Sequence, residues 1–344
     1  MAEKRQRIEA PGEGTRVIVA GVTGYTGALA AQLVWDHPGL DLAAITARSS
    51  VGERLDTLYP RYRVPLEIEE LGPGSLEGVE AAIVAYPHGA SAPTVAEMRG
   101  MGLVVVDLSA DFRLEDLPTY ERFYGDHGAP ELLDGAVYGL PEIDREAISG
   151  AELVSNPGCY PTASILAIAP LVEAGLVEDV VIDAKSGTSG AGRDAGESLS
   201  FVNTTENVRP YTPRGHRHRP EILERLRKLA PDGVAPSLSF VPHLVPIDQG
   251  ELVSCHIRTS RELTQEELDG IYMGAYGDEP FVEVVAAPPG TRDVQATNRC
   301  HIHPVAGDDR VIVFSVIDNL WKGASGQAIQ NLNLMLGIEE TEGL

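Results

Sequence analysis

A strand, a glycine-rich turn and a helix follow one another near the start of the chain, in the stretch "TRVIVAGVTGYTGALAAQLVWDHP". The β-branched run comes first, and Gly21, Gly24 and Gly27 then form a G-x-x-G-x-x-G pattern that opens into an Ala/Leu-rich segment. Such glycines allow a tight turn, close approach of the backbone to a pyrophosphate, and free N–H groups at a helix start that face the anion. The stretch therefore predicts a dinucleotide-binding loop.

Strands and helices continue to alternate after this loop. "LDLAAITARSS", "VEAAIVAYP" and "GLVVVDLSA" have the pattern of buried strands, with a helical "SAPTVAEMRGM" between the last two. This alternation predicts a doubly wound, parallel α/β sheet of the Rossmann type. After about residue 158 the strands alternate polar and apolar residues, and longer Gly/Pro-rich loops join them. That pattern favours an α+β second domain with a mostly antiparallel sheet.

The end of the second strand indicates which nicotinamide cofactor the loop binds. An acidic residue about 20 positions beyond the glycines would bind the ribose 2′-hydroxyl of NAD. The chain instead has Arg48, Ser49 and Ser50 there, a cation and two hydroxyls that suit a 2′-phosphate. We therefore expect NADP, although an arginine that is merely solvated at a strand end would give the same sequence.

Composition excludes several classes of function. A net charge of −24 argues against binding to nucleic acid or to an anionic membrane surface. No apolar run is long enough to cross a bilayer, and the charged start of the chain, residues 1–14, is expected to be a flexible tail. Three cysteines are too few for a disulfide scaffold, so we expect a cytoplasmic protein with reduced thiols.

One of these cysteines lies at a predicted helix start. In "SNPGCYPTAS", the turn residues Asn156 to Gly158 precede Cys159, and "YPTASILAIAPLVEAG" continues as a helix that Gly175 would end. A helix N-terminus stabilises a thiolate, and its N–H groups can bind an oxyanion. Free cysteines are, however, often plain core residues. The residues alone leave both interpretations open, whereas Cys255 and Cys300, in alternating strand-like stretches, are expected to be packing residues.

A nucleophilic thiol needs a base, and "GHRHRPEIL" offers His216 and His218. The arginines that alternate with them, Arg217 and Arg219, suit an anionic substrate. No CxxC or HExxH spacing supports zinc, so no metal is predicted.

Ten stretches together resemble the N-acetyl-γ-glutamyl-phosphate reductase family of arginine biosynthesis. They run from about residue 16 to the C-terminus in that family's order: "GVTGYTG", "TARSS", "YPHGAS", "VDLSADFRL", "YGLPE", "SNPGCYPT", "KSGTSGAGR", "GHRHRPEI", "FVPHLVPIDQG" and "DNLWKGASGQAIQNLN". The resemblance implies a Rossmann-type NADP-binding domain over residues 15–157, joined by a C-terminal helix within 320–344. It also implies an α+β catalytic and oligomerisation domain over 158–319, similar to that of glyceraldehyde-3-phosphate dehydrogenase.

The resemblance also implies roles for individual residues. Cys159 is expected to be the nucleophile and His216 the acid/base group, with His218 the alternative, because the sequence does not separate the two. In "KSGTSGAGR" the residues themselves make Lys185 and Arg193 candidates for holding phosphate, although a glycine-rich surface loop would give the same sequence. The expected cofactor-binding residues are Gly21, Thr23, Gly24, Tyr25, Thr26, Gly27, Arg48, Ser49, Ser50, Pro87, Ser186, Gly187 and Asn319. The expected substrate-binding residues are Ser109, Arg113, Asn156, His218 and Glu221.

The function that the resemblance implies is NADPH-dependent reduction of N-acetyl-glutamyl 5-phosphate to N-acetyl-glutamate 5-semialdehyde and phosphate, through a Cys159 thioester. The enzyme is expected to be a homodimer or homotetramer. Two related enzymes are the alternatives: the reductase of carrier-bound aminoadipyl phosphate in lysine biosynthesis, and an aspartate-semialdehyde dehydrogenase. "NPGCYPT" favours the arginine branch. A cofactor-binding regulator without turnover is the alternative from outside the enzymes.

Overall fold

The computed structural model describes residues 14–193 and 196–344, so nearly all of the predicted tail lies outside the described residues. The strands are β1 (Thr15–Ala20), β2 (Leu40–Thr46), β3 (Ala81–Val84), β4 (Val104–Asp107), β5 (Val137–Tyr138), β6 (Leu153–Ser155), β7 (Val177–Ser186), β8 (Arg209–Pro210), β9 (Ser237–Leu244), β10 (Glu251–Thr259), β11 (Val282–Val284), β12 (Cys300–Ala306) and β13 (Val311–Ile317). The α-helices are α1 (Tyr25–Asp36), α2 (Leu55–Leu58), α3 (Ala92–Gly100), α4 (Leu117–Tyr124), α5 (Pro141–Ile148), α6 (Cys159–Glu173), α7 (Phe201–Thr204), α8 (His218–Leu229), α9 (Gln265–Tyr276) and α10 (Gly326–Leu336).

The first six strands form one parallel sheet in the order β2-β1-β3-β4-β6-β5. Its central strands are apolar on both faces because helices cover both sides. In β1, Val17 and Val19 pack with residues of α1 and α10, whereas Ile18 and Ala20 pack with residues of α3. The predicted doubly wound α/β architecture is confirmed.

The remaining strands form a second sheet in the order β11-β12-β13-β10-β7-β9-β8. Four of its pairs are antiparallel, and β7–β9 and β11–β12 are parallel. In β7, Val180, Ile182 and Ala184 are buried while the residues between them are partly exposed, so one face of this sheet carries the core. The predicted α+β part with a mostly antiparallel sheet is also confirmed.

Helix α6 forms the centre of that core. Thirteen of its residues are buried, and they pack with residues of β7, β9, β10 and β13. A helix that is apolar all round belongs inside a protein rather than at its surface. The helix ends as the sequence predicts: Gly175 has a φ of +67°, and the Leu176 N–H donates to the Leu171 carbonyl oxygen at 3.0 Å.

The parallel sheet brings distant parts of the chain to one edge. The glycine loop follows the carboxyl end of β1, Arg48 follows β2, Pro87 follows β3, Ser109 follows β4 and the turn before Cys159 follows β6. Carboxyl ends of parallel strands all point the same way, and ligands of open α/β sheets bind beyond them. Among the described residues, no helix has both the length and the apolarity needed to span a membrane.

A π-helical turn, Trp321–Ser325, enters α10 and carries a buried lysine. Lys322 Nζ donates to Glu142 Oε1 at 2.6 Å and to Gln330 Oε1 at 2.8 Å, which satisfies its charge inside the protein. In the same turn, a Cβ on Gly323 would lie 2.8 Å from the Cys159 Cβ. The turn therefore packs directly against the start of α6.

Candidate active site

A cavity of about 620 Å³ lies between the carboxyl edge of the parallel sheet and the start of α6. Of the residues expected to bind cofactor, the cavity is lined by Gly21, Thr23, Gly24, Tyr25, Thr26, Arg48, Ser49, Pro87 and Asn319. Of those expected to bind or transform substrate, it is lined by Arg113, Asn156, Cys159 and His218. The fold thus brings a nucleotide-type loop and a thiol to one cavity.

The glycine loop is shaped by backbone contacts that leave no room for side chains. Gly21 has a φ of +97°, and a Cβ there would lie 2.5 Å from the Ala85 carbonyl oxygen. A Cβ on Gly27 would overlap the Gly21 carbonyl oxygen, whereas one on Gly24 would meet only that oxygen, at 3.7 Å. The loop is therefore closed toward the sheet and open toward the cavity, above the unpaired first-turn N–H groups of α1. These residues fit a dinucleotide pyrophosphate.

Basic and hydroxyl groups mark the end of β2, where NAD enzymes carry an acid. The Arg48 guanidinium is exposed and lies over the Tyr86 ring, 4.9 Å from its centroid, and Arg48 and Ser49 both line the cavity. Ser50, in the left-handed region with a φ of 58°, does not line it. The charge arrangement suits a phosphate on the ribose.

Cys159 is the first residue of α6, partly exposed to the cavity. Burial, and then the neighbouring Glu251, raises the pKa of its thiol well above the usual range. The Tyr160 N–H at the helix start and the Arg113 guanidinium act in the opposite direction, but less strongly. The thiol is therefore protonated in the ligand-free chain, and an acceptor must take its proton before it can attack.

The turn before Cys159 is crowded by the two groups that face it. A Cβ on Gly158 would lie 2.7 Å from His218 Nε2 and 2.9 Å from Arg113 Nη1. Only a residue without a side chain leaves both groups this close to the start of α6. A thiol, an imidazole and a guanidinium thus converge at one end of the cavity.

Two family models match the chain and between them cover most of it. Residues 16–151 match the model described as semialdehyde dehydrogenase, NAD binding domain, and residues 159–319 match semialdehyde dehydrogenase, dimerisation domain.

Curated relatives place the chain more narrowly. N-acetyl-γ-glutamyl-phosphate reductase from Dehalococcoides mccartyi is 46% identical over 332 residues, which cover 95% of the chain and 96% of the relative. The enzyme of the same name from Desulforudis audaxviator is 47% identical over 341 residues, covering 96% and 97%. The chain belongs to the N-acetyl-γ-glutamyl-phosphate reductase family.

Solved structures of aspartate-semialdehyde dehydrogenases share the fold of this reductase-family chain. One from Vibrio cholerae, complexed with ASA, has a TM-score of 0.72 at 19% identity and covers 95% of the chain and 99% of its own. Another, from Candida albicans with NADP, has a TM-score of 0.70 at 13% identity, covering 94% and 98%. At these identities the likeness concerns the fold alone.

In this reductase-family chain, Arg113 and Glu221 fix the turn before Cys159 through hydrogen bonds to its backbone. Arg113 Nε donates to the Asn156 carbonyl oxygen at 2.8 Å, and Nη2 donates to the Leu108 carbonyl oxygen at 2.7 Å. Glu221 Oε1 accepts from the Gly158 N–H at 3.0 Å and from the Tyr138 hydroxyl at 2.9 Å. Glu221 is 1% exposed and does not line the cavity, and its hydrogen bonds fix the turn.

The two candidate histidines occupy different sites. His218, the first residue of α8, lines the cavity with Cys159, whereas His216 lines a neighbouring groove with Arg214 and Arg219. Their rings are in contact, with centroids 4.9 Å apart, and His216 Nδ1 accepts from the His218 N–H at 3.2 Å. Of the two histidines that the sequence does not separate, His218 thus shares a cavity with the thiol, whereas His216, the first choice from the sequence, does not line that cavity.

Burial also sets the charge of both rings. It lowers the pKa of His216 to about 4, with help from Arg217. It lowers the pKa of His218 well below the usual value, with contributions from His216 and Arg113. Both histidines are therefore neutral at pH 7 in the ligand-free chain.

Several residues expected at the site lie behind its surface. Ser109 donates to Asp107 Oδ2 at 2.6 Å and is 1% exposed. Gly187, whose Cβ would overlap the Asp248 carbonyl oxygen, and Ser186 anchor the segment that follows β7, of which Ser189 and Gly190 reach the cavity. The residues that were expected at the site but do not line the cavity are Gly27, Ser50, Ser109, Ser186, Gly187, His216 and Glu221.

The two cations proposed to hold phosphate, Lys185 and Arg193, lie in different places. Lys185 Nζ pairs with Asp183 Oδ2 at 2.7 Å on the second sheet and does not line the cavity, so that expectation is corrected. Arg193 lines the cavity, and its Nη1 donates to the Thr23 carbonyl oxygen at 3.3 Å. Arg193 therefore connects the segment after β7 to the glycine loop.

Sequence reasoning missed three residues that line the cavity or act on the thiol. His88 follows β3 and lines the cavity; burial lowers its pKa to about 3, and its Nδ1 accepts from the Ala110 N–H at 2.9 Å. Its place after a parallel strand was the available signal. Gly323 and Glu251 approach Cys159 from the π-helical turn and from β10, and nothing local in the sequence marks them.

Proposed function

We propose that this chain reduces N-acetyl-γ-glutamyl phosphate to N-acetyl-glutamate semialdehyde and phosphate, with NADPH, in arginine biosynthesis. The observation that carries the proposal is the position of Cys159, at the start of a buried helix and in the same cavity as the dinucleotide loop. A thiol that forms a thioester beside a hydride carrier is the arrangement that acyl reduction requires.

The cofactor would lie along the glycine loop and the end of β2. The first turn of α1 suits its pyrophosphate, and Arg48 with Ser49 suits a 2′-phosphate, so we infer a preference for NADP over NAD. When bound, NADPH supplies the hydride that brings the acyl carbon to the aldehyde level. Asn319 Oδ1 accepts from the Gly250 N–H at 2.8 Å, which fixes its amide at the cavity wall.

Attack by Cys159 begins the reaction. The thiol proton passes to the neutral imidazole of His218, the sulfur forms a bond to the acyl-phosphate carbon, and the π electrons of the carbonyl move onto its oxygen. The Gly158 N–H already donates to Glu221, so it is not free for the oxyanion. We propose instead that the Cys159 N–H and His218 Nε2 donate to the developing oxyanion. The first group belongs to the first residue of α6, and the second lies beside the turn at Gly158 that precedes it.

Departure of phosphate is assigned to His218 and the arginines. His218 now holds the proton that it took from the thiol, and the negative charge of the bound acyl phosphate favours this protonated imidazole. It gives this proton to the leaving phosphate oxygen as the carbon–oxygen bond breaks and the thioester remains. Arg113 Nη1 and Arg217, which lines the same cavity, stabilise the phosphate.

Release of the semialdehyde breaks the bond between sulfur and carbon. The Cys159 thiolate leaves, and a proton taken up from solvent restores the starting thiol, so that one proton is consumed in each turnover. Burial disfavours the thiolate in the free enzyme, so the thiolate is reprotonated once the semialdehyde has left. We propose the same roles for Cys159 and His218 in both directions of the reaction.

The deciding experiment measures phosphate-dependent NADP reduction with three substrates. N-acetyl-glutamate semialdehyde should turn over, whereas aspartate semialdehyde and carrier-bound aminoadipate semialdehyde should not. Cys159→Ser should abolish turnover and keep NADP binding, measured by thermal shift. Near-normal activity of Cys159→Ser would rule out the covalent route, and a preference for aspartate semialdehyde would rule out the substrate.

For assembly, we infer a homodimer formed through residues 159–319, which match a dimerisation domain. A homotetramer is the second candidate, and light scattering after size-exclusion chromatography separates the two. We also infer a cytoplasmic location, supported by three cysteines that are all free thiols. An amino-acid biosynthetic role is consistent with that compartment.

A further inference from the structure

His88 lines the cavity but has no part in the reaction described above. It follows β3, at the carboxyl edge of the parallel sheet, and it is exposed in the cavity that Cys159 also lines. Among the described residues, its ring makes one hydrogen bond, through Nδ1. The other ring nitrogen, Nε2, is left for a group that enters the cavity.

The hydrogen bond at Nδ1 determines which ring nitrogen carries the proton. His88 Nδ1 accepts from the Ala110 N–H at 2.9 Å, and a ring nitrogen that accepts such a bond has no proton of its own. Desolvation at the cavity wall, and then the charges of Arg113 and Arg217, lower the pKa of His88 to about 3, so the ring is neutral at pH 7. The single proton of this neutral imidazole therefore lies on Nε2, which is a hydrogen-bond donor.

The ring of His88 is held in place from two sides. The backbone that follows it is fixed by Asp111, whose Oδ1 accepts from the Gly89 N–H at 2.7 Å and whose Oδ2 accepts from the Ala92 N–H at 2.9 Å. The ring itself lies edge-on to that of Tyr124, with centroids 5.6 Å apart. A donor that is already oriented loses little freedom when its acceptor binds.

The tyrosine that contacts His88 also contacts an arginine of the cavity. The Arg217 guanidinium lies over the Tyr124 ring, 5.4 Å from its centroid, and among the described residues no acidic side chain forms an ion pair with it. The second guanidinium, that of Arg113, faces the turn at Gly158. His88 thus shares one aromatic ring with Arg217, which the proposed function assigns to the phosphate together with Arg113.

We propose that His88 Nε2 donates a hydrogen bond to the phosphate of the acyl-phosphate substrate. This inference rests on the proposed function, since it takes an acyl phosphate as the ligand. Phosphate oxygens accept hydrogen bonds, and a neutral N–H beside two guanidinium groups adds a donor without adding a further charge. The same group would bind inorganic phosphate in the direction that forms the acyl phosphate. No proton leaves His88 in either direction.

Two substitutions at this position separate the roles of the two ring nitrogens. In His88→Asn, the side-chain oxygen can replace Nδ1 as the acceptor for the Ala110 N–H, but the donor at Nε2 is lost. In His88→Gln, the longer side chain brings an amide N–H to the region of Nε2. A role in phosphate binding depends on the second nitrogen, whereas a purely structural role depends on the first.

The test is phosphate-dependent NADP reduction with N-acetyl-glutamate semialdehyde. His88→Asn should raise the KM for inorganic phosphate about 10- to 100-fold, as expected for a lost hydrogen bond to a charged group, and leave the KM for NADP unchanged. His88→Gln should recover part of this loss. A wild-type KM for phosphate in His88→Asn would overturn the proposal, and so would a rise in the KM for NADP alone, which would assign His88 to the cofactor.

His127→Asn is the matched control. His127 Nδ1 also accepts a backbone N–H, that of Ala129 at 3.0 Å, but His127 does not line the cavity. This variant should keep the wild-type KM for phosphate. Thermal unfolding curves of all three variants show whether each is folded when its KM is measured.

Calorimetric titration of inorganic phosphate into the NADP-loaded protein distinguishes this inference from the proposed function, because it needs no turnover. Phosphate binding that His88→Asn weakens, in a wild-type protein that does not turn over N-acetyl-glutamate semialdehyde, would refute the function and support His88 as a phosphate ligand. Equal phosphate binding by His88→Asn and an active wild type would refute the role of His88 and leave the function standing.

Discussion

Gly158→Ala tests whether His218 acts at the start of α6. The new Cβ would lie 2.7 Å from His218 Nε2 and 2.9 Å from Arg113 Nη1, whereas ordinary contacts begin at 3.4 Å. The imidazole must therefore move by 3.4 − 2.7 = 0.7 Å to restore an ordinary contact. A displacement of about 1 Å at a reacting group costs roughly 10²-fold in rate, so kcat should fall about 10- to 100-fold.

The effect on stability should be small by comparison. Gly158 has ordinary extended dihedral angles, φ −68° and ψ 154°, so alanine introduces no backbone strain there. Loss of a favoured N-cap residue and local overpacking together cost about 1–3 kcal/mol. At about 2–4 °C per kcal/mol, we expect the midpoint temperature of thermal unfolding to fall by about 2–12 °C.

The assay is phosphate-dependent NADP reduction with N-acetyl-glutamate semialdehyde, beside a thermal unfolding curve. Gly270→Ala is the matched control, since it lies within α9 with nothing inside 4 Å of its Cβ. It should keep full activity and gain about 1 kcal/mol in stability. If Gly158→Ala retained kcat within about threefold of wild type, the role of His218 would be refuted.

Further predictions concern the histidines, the cofactor and the turn. His218→Asn should lower kcat on the order of 10²–10⁴-fold, and His216→Asn much less; equal losses would contradict the assignment. Arg48→Leu should raise the KM for NADP about 10- to 100-fold without changing that for NAD, as initial rates will show. Tyr138→Phe removes a buried donor to Glu221 and should destabilise the chain by about 1–3 kcal/mol in urea unfolding. Because the pKa of His216 is lowered to about 4, this residue contributes stability that is fully present above pH 6.5 and is lost as pH falls toward 4. His216→Asn should therefore reduce the slope of the free energy of unfolding against pH in this range by up to about 1.4 kcal/mol per pH unit.

The features that could be predicted from the sequence are those that short segments encode. Gly21 and Gly27 lie where two backbone segments approach too closely to leave room for a side chain. A strand–turn–helix pattern in the sequence indicates where such glycines are required. Gly175 ends α6 with a left-handed residue, which is likewise a local signal. The change from buried to alternating strands predicted two kinds of sheet, because burial on one or both faces sets the residue pattern.

The features that could not be predicted depend on contacts between distant segments. The start of α8 packs against the turn at Gly158, and this packing places His218 rather than His216 in the cavity with Cys159. The two histidines are only two positions apart, so the local sequence does not show which of them is placed there. Glu251, which raises the pKa of the Cys159 thiol, lies 92 positions away in the sequence, and its position depends on the register of β10 in the second sheet.

The turn between β6 and α6 also bears on how such enzymes can be recombined. The family matches end at residue 151 and resume at 159, so Gly158 belongs to neither, yet Arg113 from one side and Glu221 from the other both hold this segment. A chimera that joins the first half of one family member to the second half of another must therefore keep these three residues from a common parent. Exchange of the halves as independent modules would leave the nucleophile on a loosened turn.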